Sequence, residues 1–97
     1  MLDWLIKWYK SNCNGEWEHI FGIKIDTLDN PGWIVKIDLT DTAMEGRQFK
    51  EYKVNNNEID WIICYVHENI YNGMGDPDKL NEIIKIFRKW VEENQFS

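Results

Sequence analysis

Four side chains in this sequence are of the types that hold a metal or build a nucleophile: Cys13, His19, Cys64 and His67. A tetrad of thiolates and imidazoles is chemically sufficient for zinc, but structural zinc sites usually draw two ligands from one tight knuckle. Here Cys13 and His19 are six residues apart, and Cys64 and His67 are three apart on a stretch that reads as a strand, where they point to opposite faces. No metal is expected. Cys13 with His19 as its base is the nucleophilic alternative, yet the adjacent Glu16 and Glu18 work against thiolate formation. The two glutamates do not read as an acid and base pair either, because nothing nearby suggests a pocket that separates their pKa values. They read as a solvated acidic rim. The sequence also lacks a Gly-rich phosphate loop, a Walker lysine, a dinucleotide fingerprint and a Gly-x-Ser-x-Gly elbow. Catalytic residues and cofactors are expected to be absent.

Trp17, inside the same polar stretch, either anchors the connector on the domain's own core or stands out as a hot spot for a partner. The core is preferred, since a buried tryptophan usually offers its indole N–H to a backbone carbonyl. His19 reads as a hydrogen-bonded structural imidazole, Cys64 as a small buried hydrophobe, and Cys13 as a turn residue. The segment "SNCNGEWEH" is thus expected to be a connector held by Trp17 and His19, with its carboxylates available to a partner.

The elements around it follow from periodicity. From Leu2 to about Ser11, Leu2, Leu5, Ile6 and Tyr9 have helical spacing, with Trp4 and Trp8 widening the apolar face. Phe21, Ile23 and Ile25 then alternate with Gly22, Lys24 and Asp26, and Val35, Ile37 and Leu39 alternate with Lys36 and Asp38. Leu28 to Trp33 joins the two strands, with Pro31 and a left-handed Gly32 suiting a type II turn and Trp33 folding back over the hairpin. Pairing Asp26 with Lys36 and Lys24 with Asp38 puts opposite charges across the solvated face, so that register is expected over one that opposes Lys24 and Lys36.

Arg47 to Val54 reads as an edge or bulged third strand, and Asn55 to Glu58 as a hairpin loop. Ile59 to Val66 has the continuous apolar pattern of a central strand covered on both faces. A short strand near Ile70 and Tyr71 precedes "NGMG", whose glycines mark the exit from the sheet. Asp76 is expected to cap a helix that begins at Pro77 and runs to about Glu93, with Leu80, Ile83, Ile84, Phe87, Trp90 and Val91 inward and Lys79 among the residues facing water. Trp4, Trp8 and Trp90 should pack the helices onto the sheet. The fold class is α+β: a single domain over 1–97, with an N-terminal helix, an antiparallel four- to five-stranded meander sheet and a C-terminal helix.

A chain of 97 residues with 43% hydrophobic content, six tryptophans and 29% charged residues can bury one core. Eleven basic against seventeen acidic side chains leave a net charge of -6, which disfavours nucleic acid and anionic membranes as partners and favours a basic protein. The first ten residues are too short and too polar for a signal or a membrane span. The expected location is the cytoplasm, where both cysteines stay reduced.

The stretches "LDWLIKWYKSNCNGEWEH", "GIKIDTLDNPGWIVKIDL", "DWIICYV" and "LNEIIKIFRKWVE" together resemble the immunity protein 53 family of bacterial polymorphic toxin systems. The resemblance implies a small cytoplasmic protein that protects the producing cell by binding and blocking a toxin domain. Some relatives carry a rhodanese-related label, which implies a sulfurtransferase; here Cys13 is followed by "NGEWEH", with acidic groups and no nearby arginine. The functional expectation is therefore a toxin-binding immunity protein that occludes an active site with an acidic surface. The alternative is a small thiol-dependent, rhodanese-like enzyme using Cys13 and His19. The expected partner contacts are Glu16, Trp17, Glu18, Asp29, Trp33, Asp41 and Glu45, most in loops or at strand ends, with Trp17 or Trp33 as anchor if exposed. The partner is expected to be a cognate toxin, basic and nuclease-like on the charge reading, and the protein a monomer or weak homodimer.

Overall fold

The computed structural model describes residues 1–95. Helix α1 (Leu2–Asn12) leads through a one-turn helix α2 (Trp17–Ile20) into a hairpin of β1 (Ile23–Leu28) and β2 (Gly32–Asp38). A connection over residues 39–51 then reaches β3 (Tyr52–Asn57), β4 (Asp60–His67), β5 (Ile70–Gly75) and helix α3 (Leu80–Glu93). This is the α+β arrangement expected, with five antiparallel strands between two terminal helices.

The strand order is β1-β2-β5-β4-β3, so only β3, β4 and β5 form a meander. The central strand is β5, not β4, and its glycines lie inside the sheet instead of marking its end. The reason is the helix above it. A Cβ on Gly73 would collide with the Ile83 side chain, and one on Gly75 would stand 2.6 Å from Lys79 Cβ. These glycines let the backbone of β5 lie directly under α3, a role that composition alone confuses with a turn.

The hairpin register also departs from expectation, with Lys24 opposite Lys36 and Asp26 opposite Ile34. Magnitudes explain the outcome. An opposed pair of like charges on a solvated face costs a few tenths of a kcal/mol up to about 1 kcal/mol. The observed register keeps Gly32 and Trp33 inside β2, where Gly32 closes the three-residue turn Asp29–Pro31 against Leu28 and Trp33 lies opposite Gly75. Trp33 packs part of its ring against the core and donates its indole N–H to Pro77 O at 2.9 Å, and the apolar area it buries is worth about 25 cal/mol per Å². Gly32 does not take a left-handed conformation; its missing Cβ leaves room for the Gly75 carbonyl.

Three further boundaries move. Strand β3 begins at Tyr52 and continues through the asparagines expected in a loop, with a register shift between Asn55 and Asn57, so the turn is Glu58–Ile59. As expected of that segment, it lies at an edge of the sheet. Strands β4 and β5 are joined by Glu68 and Asn69 at φ of 51° and 63°, the left-handed pair that a two-residue hairpin requires. Helix α3 starts at Leu80, three residues late: Asp76 accepts Asp78 N–H as a cap would, but residues 76–79 form a separate turn closed by Lys79 N–H to Asp76 O.

Both α1 and α3 pack on one face of the sheet. Ile83, Ile84, Phe87 and Val91 of α3 meet Val35, Ile37, Cys64 and Tyr71, and Tyr71 donates its hydroxyl to Ile83 O at 2.8 Å. Phe87 is the hub, in contact with the rings of Trp4, Trp8, Tyr71 and Trp90. By alternation the opposite face carries Ile34, Lys36, Asn72, Met74, Ile63 and Tyr65, and among the described residues no helix covers it. Strand β4 is therefore buried on one face only, with Ile62 and Cys64 buried and Trp61, Ile63 and Tyr65 half-exposed.

Candidate functional site

The connector between α1 and β1 is built by its own side chains. Asn14 Oδ1 accepts the backbone N–H groups of Glu16 and Trp17, both at 3.0 Å, which starts α2. Glu18 reaches back so that its carboxylate accepts Asn14 N–H at 2.9 Å and Gly15 N–H at 2.8 Å. The backbone N–H of Glu18 itself, and after it those of Asn14 and Gly15, hold the Glu18 carboxyl below its ordinary range. Glu18 thus serves the loop internally, whereas Glu16 is exposed.

Trp17 is 1% exposed, with its ring against Trp8 and Tyr9 at centroid distances of 5.8 and 5.7 Å. This is the core position preferred from sequence, and it leaves no ring face for a partner. The expected carbonyl acceptor is not there: among the described residues Trp17 Nε1 is the buried side-chain polar atom without a hydrogen-bond partner. Ring packing alone seats this side chain. His19 is exposed, so it does not hold the connector as expected.

Asp41 and Glu45 lie in the connection that follows β2. Asp41 adopts φ 64°, and its N–H donates to Glu45 Oε1 at 3.2 Å, so one carboxylate closes the turn while the other stays in solvent. Met44 pins this segment to the core, and Leu39 N–H donates to Asn69 O at 2.7 Å. Asp38 N–H meets Gly22 O at 3.1 Å, which places the exit of α2 and the start of this connection at one end of the sheet. Asp29 and Trp33 are at the other end, a strand length of roughly 20 Å away. The expected contacts therefore form two groups and not one patch, and Trp33 is only half-exposed.

The thiols are separated as well. Cys64 is fully buried in the sheet, and burial pushes its thiol up to about 11, so it carries no thiolate at neutral pH. Cys13 is exposed, with its S–H directed at Tyr9 O at 3.3 Å. Among the described residues no three His, Cys, Asp or Glu side chains converge as metal ligands would. No helix among them is long and apolar enough to cross a membrane.

Sequence reasoning missed the most connected charged cluster. Lys79, expected to face water, directs Nζ to Asp76 Oδ2 at 2.7 Å and Asp60 Oδ1 at 2.8 Å. Asp76 is fully buried and also accepts Trp61 N–H at 2.8 Å and Asp78 N–H at 2.9 Å. Burial opposes ionisation of Asp76, but the ammonium and the two N–H groups outweigh it and hold the carboxyl below its usual range. The Lys79 ammonium in turn is held protonated well above the ordinary lysine value by Asp60 and Asp76. Every member has its partners, so the cluster clamps the β3–β4 turn to the start of α3 and does not read as a binding site. Its signal in the sequence was Lys79 three residues after Asp76, the spacing at which side chains meet across a turn.

The uncovered sheet face was foreseen as polar alternation but not as a surface. Each of its rows crosses several strands, one of them running Asp26, Ile34, Met74, Ile63, Lys53 from edge to edge. Beside it, a depression of about 290 Å³ has Trp61 and Ile63 on its floor and Lys53, Asn55 and Glu58 around it. Two more, each about 220–260 Å³, flank Lys24 and Lys36. Such a surface can receive another macromolecule. It presents no nucleophile or paired acid and base.

In comparisons with known proteins, a family model described as immunity protein 53 matches residues 2–92. No curated protein and no solved structure matches the chain.

Proposed function

Because this chain belongs to the immunity protein 53 family, we propose that it binds a cognate toxin domain directly and neutralises it in the cytoplasm of the producing cell, making and breaking no bonds itself. The family match over nearly the whole chain is the observation that carries this reading. The net charge of -6 supports fast association with a basic, nuclease-like toxin. The exposed carboxylates of Glu16, Asp29 and Asp41, with Glu45 beside Asp41, are the groups we assign to that long-range attraction. Glu18 and Trp17 contribute by holding the connector in shape, and Trp33 by fixing the β1–β2 end.

The test is co-expression with the product of the adjacent gene, which the family implies to be the toxin. Growth should be restored, and the two proteins should co-purify as a complex that persists at micromolar concentration. Absence of both protection and complex would overturn the reading.

A further inference from the structure

Resting on the toxin-binding reading, we propose that the uncovered face of the sheet is where the toxin docks, and that the toxin segment seated there carries carboxylates between apolar side chains. The strand positions of this face do not share the negative charge of the protein as a whole. They hold Lys24, Lys36 and Lys53 against Asp26 and Asp38, in a chain whose total is -6. Asp38 already accepts Thr40 N–H through one oxygen at 3.0 Å.

Lys24 and Lys36 are the centre of the inference. They stand directly opposite each other, both exposed, and among the described residues neither has an ion pair or a hydrogen bond. A register two residues away would have paired each with an aspartate; in the observed one Asp26 and Asp38 lie diagonally beside the lysines and form no ion pair with them. A carboxylate arriving from outside would find both within reach, in the charge-assisted geometry that makes such contacts strong.

Depressions lie on both sides of this pair. The one of about 220 Å³ is walled by Ile20, Phe21 and Ile70 with Asp38 at its edge, and the one of about 260 Å³ by Ile34 with Asp26 at its edge. Ile20, at 66% exposure, stands at the rim. Next to these runs the apolar row of Ile34, Met74 and Ile63, leading to the depression over Trp61. An apolar row beside the unpaired lysines fits a segment that presents apolar side chains with a carboxylate next to them. Five strands at about 4.8 Å spacing and six residues each give a face of roughly 400–500 Å², about half of one partner's share of a standard interface. The loops at its two ends, with Asp41 and Asp29, supply the remainder. Net negative charge then governs the approach of the toxin, and the local cations govern how it seats.

The experiment measures affinity for the inactivated cognate toxin domain by calorimetric titration, with association and dissociation rates from surface plasmon resonance. The double variant Lys24→Glu, Lys36→Glu should keep its melting temperature and lose about 100-fold or more in affinity, mostly through faster dissociation. Lys24→Arg, Lys36→Arg should bind like the parent, and Glu16→Lys, Asp41→Lys should change the association rate by a few-fold only. Charge-reversed variants that bind within about threefold of the parent would overturn the docking face while leaving toxin binding intact. Failure of the parent protein to bind would instead remove the reading on which this one rests. A parent that is dimeric, and becomes monomeric in the Lys24→Glu, Lys36→Glu variant with toxin affinity unchanged, would assign the face to a second copy of this chain and overturn the proposal.

Discussion

The two faces of the sheet were assembled under different rules. The covered face selects for shape: Gly73 and Gly75 have no side chain because α3 needs their space, and Phe87 touches four other rings. The uncovered face tolerates what the covered face demands, including a like-charge pair that local electrostatics alone would reject. Packing energy is worth several kcal/mol per buried side chain, while a solvated charge pair is worth tenths, so the covered face dictates and the other receives what is left. What is left is then free to be shaped by a partner.

Truncation at the hub tests the dominant side of this contrast. Phe87→Ala should cost about 3–5 kcal/mol in denaturant unfolding, since a fully buried aromatic leaves a cavity that the surrounding rings can only partly close. A loss below about 1 kcal/mol would mean that the covered face is not what holds the fold.

A second substitution probes the boundary between the faces, where a charged cluster is buried. The Asp76 carboxyl is held below its ordinary value in the folded protein, so its contribution is present above the unfolded value of about 3.9 and is lost as pH falls through the lower folded value. Asp76→Asn should therefore lower the melting temperature by on the order of 5–10 °C at pH 7. The gap to the parent should narrow as the pH is taken from about 4 toward 2. A gap independent of pH would show that packing of the Asp76 side chain matters and its charge does not.

The smallest effect belongs to the uncovered face and has the opposite sign. Lys36→Glu removes the opposition to Lys24 and should raise the melting temperature by a degree or two at low salt, an increase that vanishes in about 1 M salt. A decrease would show that the two ammonium groups are already compensated within the chain.

The same division explains what could be read from the sequence. The inward face of α3 and the alternation in β1 and β2 were legible because burial imposes a period, and the terminal helices around an antiparallel sheet followed from them. The central place of β5 was not, because a glycine under a helix and a glycine in a turn are the same letter. The hairpin register was misread for a related reason: cross-strand charges are visible in the sequence, whereas Gly32 fitting against Gly75 is a contact between distant segments. Of the candidate contacts, Glu16, Asp29 and Asp41 are exposed as expected, but Trp17 is enclosed by α1 and Glu18 is bonded to its own loop, which residue type and spacing did not reveal.

The strand order has a kinetic consequence. The β1–β2 hairpin and the β3–β4–β5 meander can each form from near neighbours, but the sheet is complete only when β2 finds β5, joining residues as distant in the chain as Val35 and Gly73. Closing that long loop carries an entropic cost that no local turn lowers, so the seam between β2 and β5 is expected to zip last and to set the folding rate. Three glycines, Gly32, Gly73 and Gly75, stand where that last seam must fit most closely, so the slowest step and the tightest packing fall in the same place.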